Sequence, residues 1–249
     1  MTYCLAIALE EGLVFCSDSR TNAGADRVST YSKMHKFTFP GDRMIVLLSA
    51  GNLATSQAVV AQMRRDIIDK DTSTLLTSSH LSDVAAYLGG LLAAERVKYE
   101  TTAGPDAGLD ASASLILGGQ IQGQPAELFL IYPEGNYIAP SQSHPYLQIG
   151  ETKYGKPILD RIISYDTPVE TAMRCAIVSM DSTLRSNATV GPPIECLFYR
   201  RDSIAKEEIY LELDGNHRYL EATRDSWDSN IKMAVDQLPS FFSEFSEPE

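Results

Sequence analysis

Two apolar runs separated by a short polar break open the chain. Residues 2–9 and 13–18 are largely hydrophobic, and Glu10-Glu11-Gly12 between them has the composition of a tight turn. This pattern predicts an antiparallel β-hairpin, which folds Asp18 back towards Thr2. The hairpin would therefore place a carboxylate near the amino terminus.

The rest of the chain alternates between apolar strands and segments with helical spacing. Apolar residues recur every three or four positions, as in amphipathic helices, over residues 52–69, 81–97, 152–163 and 169–184. Continuous apolar runs predict strands up to residue 48 and over 111–117, 127–132, 194–199 and 207–213, with a loop at 101–110 and a turn at 133–136. This order predicts an α+β fold, an αββα sandwich of two sheets covered by helices. Because each sheet would be buried on both faces, its runs need not alternate with polar residues.

The last segment differs in character from the rest. Residues 216–238 have the spacing of one amphipathic helix, and residues 240–249 combine three Phe with acidic residues. The Phe rings favour docking between neighbouring subunits, and the alternative is a frayed acidic tail. We expect one domain over residues 1–249, with a core at about 2–213 and the helix and acidic-aromatic tail at about 214–249.

Composition and charge narrow the classes of function. The 249 residues are 44% hydrophobic, which suffices for a substantial core, and carry a net charge of -12. This charge and the absence of a long Lys/Arg cluster argue against nucleic acid as a partner. No apolar run reaches the length of a membrane helix, roughly 20 residues, and no leader precedes Thr2. We therefore expect a cytoplasmic protein without a membrane partner.

The sequence contains no signal for a cofactor or a metal. It has no Gly-x-x-x-x-Gly-Lys-Ser/Thr run, so any ATP would be used by a separate ATP-dependent partner. The four cysteines lie in apolar patterns without zinc spacing and are expected to be buried and reduced: Cys4, Cys16, Cys175 and Cys196. We expect neither a cofactor nor a metal site.

Thr2 is the strongest candidate for chemistry. Removal of Met1 would leave a residue that carries a hydroxyl and a free α-amine on adjacent carbons. The pKa of an α-amine is about 7.7–8.0, where a general base is effective, and the amine can activate the neighbouring hydroxyl. A Met-Thr start is common among chains without such a function, so other residues of the sequence have to indicate whether Thr2 is catalytic.

Asp18 supplies part of that context. It follows the apolar residues 13–16, and a carboxylate that enters a core needs a cationic partner or several hydrogen-bond donors. Lys33 and Lys36 are the candidate cations, and a lysine held beside Thr2 would lower the pKa of its hydroxyl. In the alternative interpretation, Asp18 is a strand-end carboxylate that pairs with Arg20.

Two longer motifs extend this context. Residues 12–24 have the sequence Gly-Leu-Val-Phe-Cys-Ser-Asp-Ser-Arg-Thr-Asn-Ala-Gly, and residues 42–54 combine an apolar strand, a small-residue turn and a helix start. The first motif resembles the segment after the catalytic Thr in proteasome β-subunits, and the second resembles the strand, turn and helix start of the same family. The Met-Thr-Tyr start, the Asp-Ser-Arg-Thr-Asn-Ala-Gly run and the acidic C-terminus are more similar to Anbu, the bacterial proteasome-related family. The resemblance is strongest over residues 2–70, follows element order to about 213 and does not extend to the tail. It implies a four-layer αββα sandwich of the N-terminal nucleophile hydrolase type.

The resemblance assigns roles to individual residues. Thr2 matches the nucleophile and its amine the base, Asp18 the orienting carboxylate, and Gly51 the oxyanion donor through its backbone N–H. The family's lysine lies ten residues after a motif glycine, whereas here Lys33 lies at nine and Lys36 at twelve. Lys33 needs the smaller shift and is preferred, with Lys36 as the alternative.

Other positions depart from the family pattern. Glu151 stands where the family has a Ser beside the terminal amine, Thr189 matches a second Ser, and Ser186 stands in place of an Asp. A carboxylate near the amine is therefore expected from Glu151, and the pH optimum does not carry over, because an anion changes the amine pKa. Thr21 and Asn22 match residues whose backbone pairs with an extended peptide substrate.

The resemblance implies an N-terminal threonine amidohydrolase. It would be a peptidase subunit of a large ring-like or helical homo-oligomer, and it would form an acyl-enzyme on Thr2 with a peptide or another amide. Two alternatives stay open: a catalytically silent ring or scaffold subunit, and a hydrolase of isopeptides or other non-peptide amides. Retention of Thr2, Asp18, a lysine and Gly51 in this register favours catalysis over the scaffold.

Overall fold

The protein is described by a computed structural model that covers residues 2–22, 28–69, 75–103, 110–204 and 209–242. The strands are β1 (Tyr3–Leu9), β2 (Gly12–Asp18), β3 (Arg20–Asn22), β4 (Val28–Thr30), β5 (Met34–Phe39), β6 (Arg43–Gly51), β7 (Ala113–Ile121), β8 (Glu127–Ile131), β9 (Tyr137–Ile138), β10 (Tyr146–Gly150), β11 (Ile194–Arg200) and β12 (Ile209–Leu213). The helices are α1 (Leu53–Asp69), α2 (Leu81–Ala103), α3 (Lys156–Ile162), α4 (Val169–Ser186) and α5 (Arg218–Asp236). The prediction of an α+β fold is confirmed.

The chain divides into two units after Gly215. Met1–Gly215 forms the first unit and Asn216–Glu249 the second. This division lies close to the boundary predicted between the core and the C-terminal helix. The assignment of both parts to one domain stays a prediction.

The first sheet brings the amino terminus together with Asp18. Its strand order is β10-β1-β2-β11-β12. The predicted hairpin is confirmed, since β1 pairs antiparallel with β2 and Cys4 lies opposite Ser17. In the same sheet Tyr3 lies opposite Gly150, and Asp18 lies opposite Ile194. The start of β1 and the end of β2 therefore share one end of the sheet with the end of β10 and the start of β11.

The second sheet has the strand order β5-β6-β7-β8-β9, and β3 and β4 form a separate two-stranded pair. The two faces of β6 explain its continuous apolar run. Ile45 and Leu47 belong to a core shared with α1 and α2, whereas Val46 and Leu48 belong to a core shared with the first sheet. All four side chains are fully buried. Burial of one such side chain contributes roughly 1.5–3 kcal/mol, so both faces of the strand favour apolar residues.

Helices α3 and α4 contact each other, and α4 contacts β1 and β2. The predicted helix over 152–163 is wrong at its start, because α3 begins at Lys156 after Gly155. Pro157 is accommodated in the first turn of a helix, where its missing N–H is not needed. The preceding residues form a turn in which the Lys156 N–H donates to the Thr152 carbonyl at 3.1 Å.

Helix α2 continues to Ala103, beyond the predicted end at residue 97. An ion pair between Arg96 and Glu100 at 3.0 Å spans one turn of this extension. Polar residues with such pairs continue a helix without an apolar period, so the pattern underestimated its length. Within the described ranges, no helix is both long and apolar enough to cross a membrane.

The second unit contains α5. His217 caps the helix, because its Nδ1 accepts a hydrogen bond from the Tyr219 N–H at 3.2 Å. Phe241 and Phe242 follow the helix and are 70% and 80% exposed. Their rings lie edge to face with centroids 5.5 Å apart. Phe245 and the rest of the predicted tail, 243–249, lie outside the described residues.

Candidate active site

Thr2 lies directly before β1 and beside the end of β10. Its carbonyl accepts a hydrogen bond from the Glu151 N–H at 2.7 Å. Gly150 has a φ of +82°, and a Cβ at this residue would collide with the Thr2 carbonyl. The close approach of β10 to the amino terminus therefore requires a glycine.

Asp18 and Lys33 form a buried ion pair, with Lys33 Nζ 2.6 Å from Asp18 Oδ1. The Tyr3 N–H donates to the same oxygen at 3.0 Å, and the Gly191 N–H donates to Oδ2 at 3.1 Å. Burial raises the pKa of Asp18, and Lys33 and the two backbone donors oppose this shift. Arg20 instead donates to the Ala188 carbonyl at 2.8 Å, so the alternative pairing of Asp18 with Arg20 is wrong.

The structure brings Lys33, and not Lys36, to Asp18. Lys36 lies on β5 opposite Val46, and its Nζ lies 4.1 Å from the ring centroid of Tyr210. Lys33 precedes β5, and its Nζ also donates to the Arg20 carbonyl at 2.7 Å. The choice of Lys33 over Lys36 therefore agrees with the geometry around Asp18.

A cavity of about 420 Å³ connects three of the predicted catalytic residues. Thr2, Lys33 and Gly51 all line it. Its other lining residues are Arg20, Thr21, Ser49, Ala50, Leu53, Ser56 and Gly150. The cavity has room for a reacting group between the Thr2 side and the end of β6.

Gly51 ends β6 just before α1 begins. Its φ is +102°, and a Cβ there would lie 2.5 Å from the Ser112 carbonyl oxygen. Asn52 caps the helix, since its Oδ1 accepts hydrogen bonds from the Ala54 and Thr55 N–H groups at 3.0 and 3.2 Å. The strand-to-helix turn thus requires glycine at residue 51, next to the positive end of a helix dipole.

A second polar cluster adjoins Thr2 through Glu151. Glu151 is buried, and its carboxylate accepts a hydrogen bond from Asn187 Nδ2 at 2.9 Å and lies 3.4 Å from Lys153 Nζ. Thr189 Oγ1 donates to Asn187 Oδ1 at 2.6 Å. The predicted residues Glu151 and Thr189 are therefore connected through Asn187.

Ser186 lies apart from this cluster. It is the exposed last residue of α4, and its side chain forms no hydrogen bond with another described residue. Asn187, its neighbour, occupies the bridging position that the sequence analysis missed. No pattern in the sequence marks Asn187, because its contacts depend on the conformation of the loop after α4.

The predicted substrate-binding residues lie on β3. Thr21 lines the cavity, and its Oγ1 is buried without a hydrogen-bond partner among the described residues. Asn22 pairs with Val28 in the β3–β4 ladder. Arg20, which the sequence analysis did not assign to the site, also lines the cavity.

The cysteines are buried free thiols, as predicted. Cys16 and Cys196 lie opposite each other on β2 and β11, with their sulfur atoms 3.4 Å apart. Burial raises the pKa of the Cys4 thiol. Among the described residues, no group of three His, Cys, Asp or Glu side chains is placed to hold a metal ion.

A second cavity of about 400 Å³ adjoins the first and contains His35. Burial lowers the pKa of His35 from 6.5 to about 4, and the nearby Arg64 contributes to the shift. His35 is therefore neutral at neutral pH.

We expect acid to destabilise the protein through His35. Because the folded-state pKa lies below the unfolded one, the stabilisation is complete above pH 6.5 and is lost as pH falls towards about 4. Going from pH 7 to pH 5 should cost about 2 kcal/mol of unfolding free energy from this residue. Urea unfolding followed by circular dichroism at both pH values measures the loss. His35→Gln should reduce it, whereas substitution of the exposed His80 by Gln should not.

Comparison with known proteins defines the class. Searches of protein-family models and of curated proteins found no match. Among solved structures, Anbu (ancestral beta-subunit) from Yersinia bercovieri is 44% identical with a TM-score of 0.89, over 96% of this chain and 98% of that one. The helical assembly of the Anbu complex from Pseudomonas aeruginosa matches at 42% identity and a TM-score of 0.91, over 98% and 100%. Anbu from Hyphomicrobium sp. strain MC1 matches at 38% identity and a TM-score of 0.87, over 96% and 99%.

These relatives cover nearly the whole chain, including both units. The fold is that of the proteasome-related ancestral β-subunits. The chain belongs to the Anbu family.

Proposed function

We propose that the chain is an N-terminal threonine amidohydrolase that cleaves peptides through an acyl-enzyme on Thr2. The observation that carries this proposal is the buried Lys33–Asp18 ion pair beside the cavity that Thr2 lines. A buried ion pair is often no more stabilising than apolar residues of similar volume. A scaffold subunit would gain little from it at this position, whereas a threonine nucleophile needs a cation.

The proposed mechanism begins after removal of Met1. Thr2 Oγ attacks the amide carbonyl while its proton passes through a water to the Thr2 amine. The Gly51 N–H donates to the oxyanion, and the Lys33 ammonium, held by Asp18, stabilises negative charge on Oγ. The C–N bond then breaks, and the leaving nitrogen takes the proton from the Thr2 ammonium.

The acyl group remains as an ester on Thr2 Oγ. A second water attacks this ester, and the Thr2 amine again accepts the proton. Cleavage of the ester releases the acid and restores the hydroxyl. The same steps would hydrolyse an isopeptide or another amide, so the cavity and not the chemistry selects the substrate.

Mass spectrometry tests the proposal directly. We expect the purified chain to lack Met1 and to gain one adduct on Thr2 after treatment with a peptidyl epoxyketone, which reacts with both the hydroxyl and the amine. Retention of Met1 would block the amine as a base and would support the scaffold alternative.

We expect Glu151→Gln to move the acid limb of the pH–rate profile to lower pH. The Glu151 N–H donates to the Thr2 carbonyl, so Glu151 lies next to the residue that carries the amine. A nearby anion raises the pKa of an ammonium group, and its removal should lower the amine pKa by about 0.5–1 unit. The rate of adduct formation between about pH 5 and about pH 9 measures this shift.

Lys153→Gln is the matched control for this charge. Lys153 pairs with Glu151 at 3.4 Å, and its removal should shift the acid limb in the opposite direction. Identical pH–rate profiles for both variants and the wild type would mean that the charge of Glu151 does not affect the pKa of the Thr2 amine.

We also infer that the chain assembles with copies of itself. The relative from Pseudomonas aeruginosa forms a helical assembly, and this chain aligns with the full length of that relative's chain. The second unit exposes several apolar side chains, and exposed apolar surface is typical of interfaces: Ile231, Met233, Val235, Leu238, Phe241 and Phe242. Sedimentation velocity should show species many times heavier than one chain, and a deletion of residues 237–249 should shift them to smaller sizes.

We further propose that Met1–Gly215 is a sandwich of four layers. Their order is α1 with α2, the second sheet, the first sheet, and α3 with α4. The two apolar cores and the contacts of α4 with β1 and β2 support this order. The buried free thiols fit the proposed cytoplasmic location, where cysteines stay reduced.

A further inference from the structure

We propose that the second cavity is a subsite for an acidic side chain, so that the enzyme acts on peptides with Asp or Glu next to the scissile amide. This inference rests on the proposed function, because it names the substrate class of the same site. It follows from how the two cavities join and from the charges that line them.

The two cavities share part of their wall. Ser49, Leu53 and Ser56 line both of them. This shared wall is formed by the end of β6 and the first turn of α1, on either side of Gly51. A peptide with its carbonyl at Thr2 and Gly51 would therefore have an adjacent side chain beside the opening of the second cavity.

The second cavity contains an available cation. Arg64, on α1, is exposed, lines the cavity and forms no ion pair with any described residue. His35 also lines it, so the imidazole and the guanidinium share this cavity. Tyr31 and Gln57 add side-chain donors to the wall. A carboxylate in this cavity would meet a guanidinium and neutral donors, which favours charge-assisted hydrogen bonds.

No acidic side chain lines either cavity in the described part of the chain. The charged lining residues are Arg20, Lys33 and Arg64. The buried Glu195 accepts hydrogen bonds from Ser32 and Tyr210 and does not line the cavities. Asp18 balances the charge of Lys33, so Arg20 in the first cavity and Arg64 in the second make the described lining positive. In a chain with a net charge of -12, this local positive charge attracts anionic groups.

Peptide binding to the Thr2→Ala protein tests the subsite without cleavage. Two fluorescein-labelled hexapeptides, identical except for Glu or Gln at one central position, are compared by fluorescence anisotropy. We expect the Glu peptide to bind about ten-fold more tightly. Arg64→Gln in the same background should bring the two affinities together, and high salt should weaken the preference of the parent protein.

Arg65→Gln is the matched control. Arg65 is the exposed neighbour on the same helix, bonds to Gln62 at 2.5 Å and does not line the cavity. Arg65→Gln changes the net charge by the same amount as Arg64→Gln but leaves the cavity lining intact, so the preference for the Glu peptide should remain.

Three results would overturn the inference: equal binding of the two peptides, binding of neither, or a Glu preference that survives Arg64→Gln. The test is independent of nucleophilic activity. A Glu preference without any epoxyketone adduct on wild-type Thr2 would overturn the proposed hydrolase and retain the subsite. An adduct without a Glu preference would overturn the subsite and retain the hydrolase.

Discussion

Thr2→Ala should lower the rate of peptide hydrolysis by at least about 10⁴-fold, to the background level. Alanine keeps the terminal amine but has no hydroxyl, so neither the attack nor the ester intermediate can occur at this residue. A fluorogenic peptide assay measures the loss, and intact mass should show no epoxyketone adduct on the variant.

The fold should survive this substitution. The bond that fixes residue 2 to β10 uses the Thr2 carbonyl, which the variant retains. Thr2→Ser, with both hydroxyl and amine, should keep activity within about 100-fold of the wild type. Full activity of Thr2→Ala would mean that another residue is the nucleophile and would refute the mechanism.

Lys33→Met should remove both activity and several kcal/mol of stability. Methionine fits the volume of the buried stem but leaves the Asp18 carboxylate without its cation at 2.6 Å. Loss of one partner from a buried ion pair costs about 3–5 kcal/mol. Urea unfolding measures the stability loss, and adduct formation on Thr2 should fall by about 10³-fold or more.

Two comparisons separate the chemical role of Lys33 from its structural role. Lys36→Met removes a cation over the Tyr210 ring, a contact that contributes about 0.5–1 kcal/mol, and should change the rate little. Adding Asp18→Asn to Lys33→Met removes the buried charge, so part of the stability should return while activity stays absent. Recovery of activity in the double variant would show that Lys33 only balances Asp18.

Local patterns predicted much of the fold because the core imposes them. The hairpin of β1 and β2 was visible from Gly12 and the flanking apolar runs. The α+β class followed from continuous apolar strands such as β6, whose two faces contact different cores. Boundaries were less visible where polar residues continue an element, as in α2 beyond residue 97. The start of α3 depended on Gly155 and Pro157, a detail of capping that periodicity does not contain.

The predicted hairpin placed Asp18 near Thr2, and the resemblance to proteasome β-subunits singled out Gly51. Asp18 at the end of β2 and Gly51 at the end of β6 have positions fixed by strand register. The bridge from Glu151 to Thr189 through Asn187 depends on loop conformation, which residue spacing does not contain. Arg64 was missed because only the tertiary fold places that part of α1 beside His35.

The division of the chain after Gly215 has a practical spectroscopic consequence. The single tryptophan, Trp227, lies on α5 in the unit Asn216–Glu249, so the larger unit contains no indole. Tryptophan emission during denaturation will report only on the smaller unit, whereas far-ultraviolet circular dichroism will be dominated by the larger one. Coincident transitions would mean that the two units unfold as one, and separated transitions would resolve the stability of each.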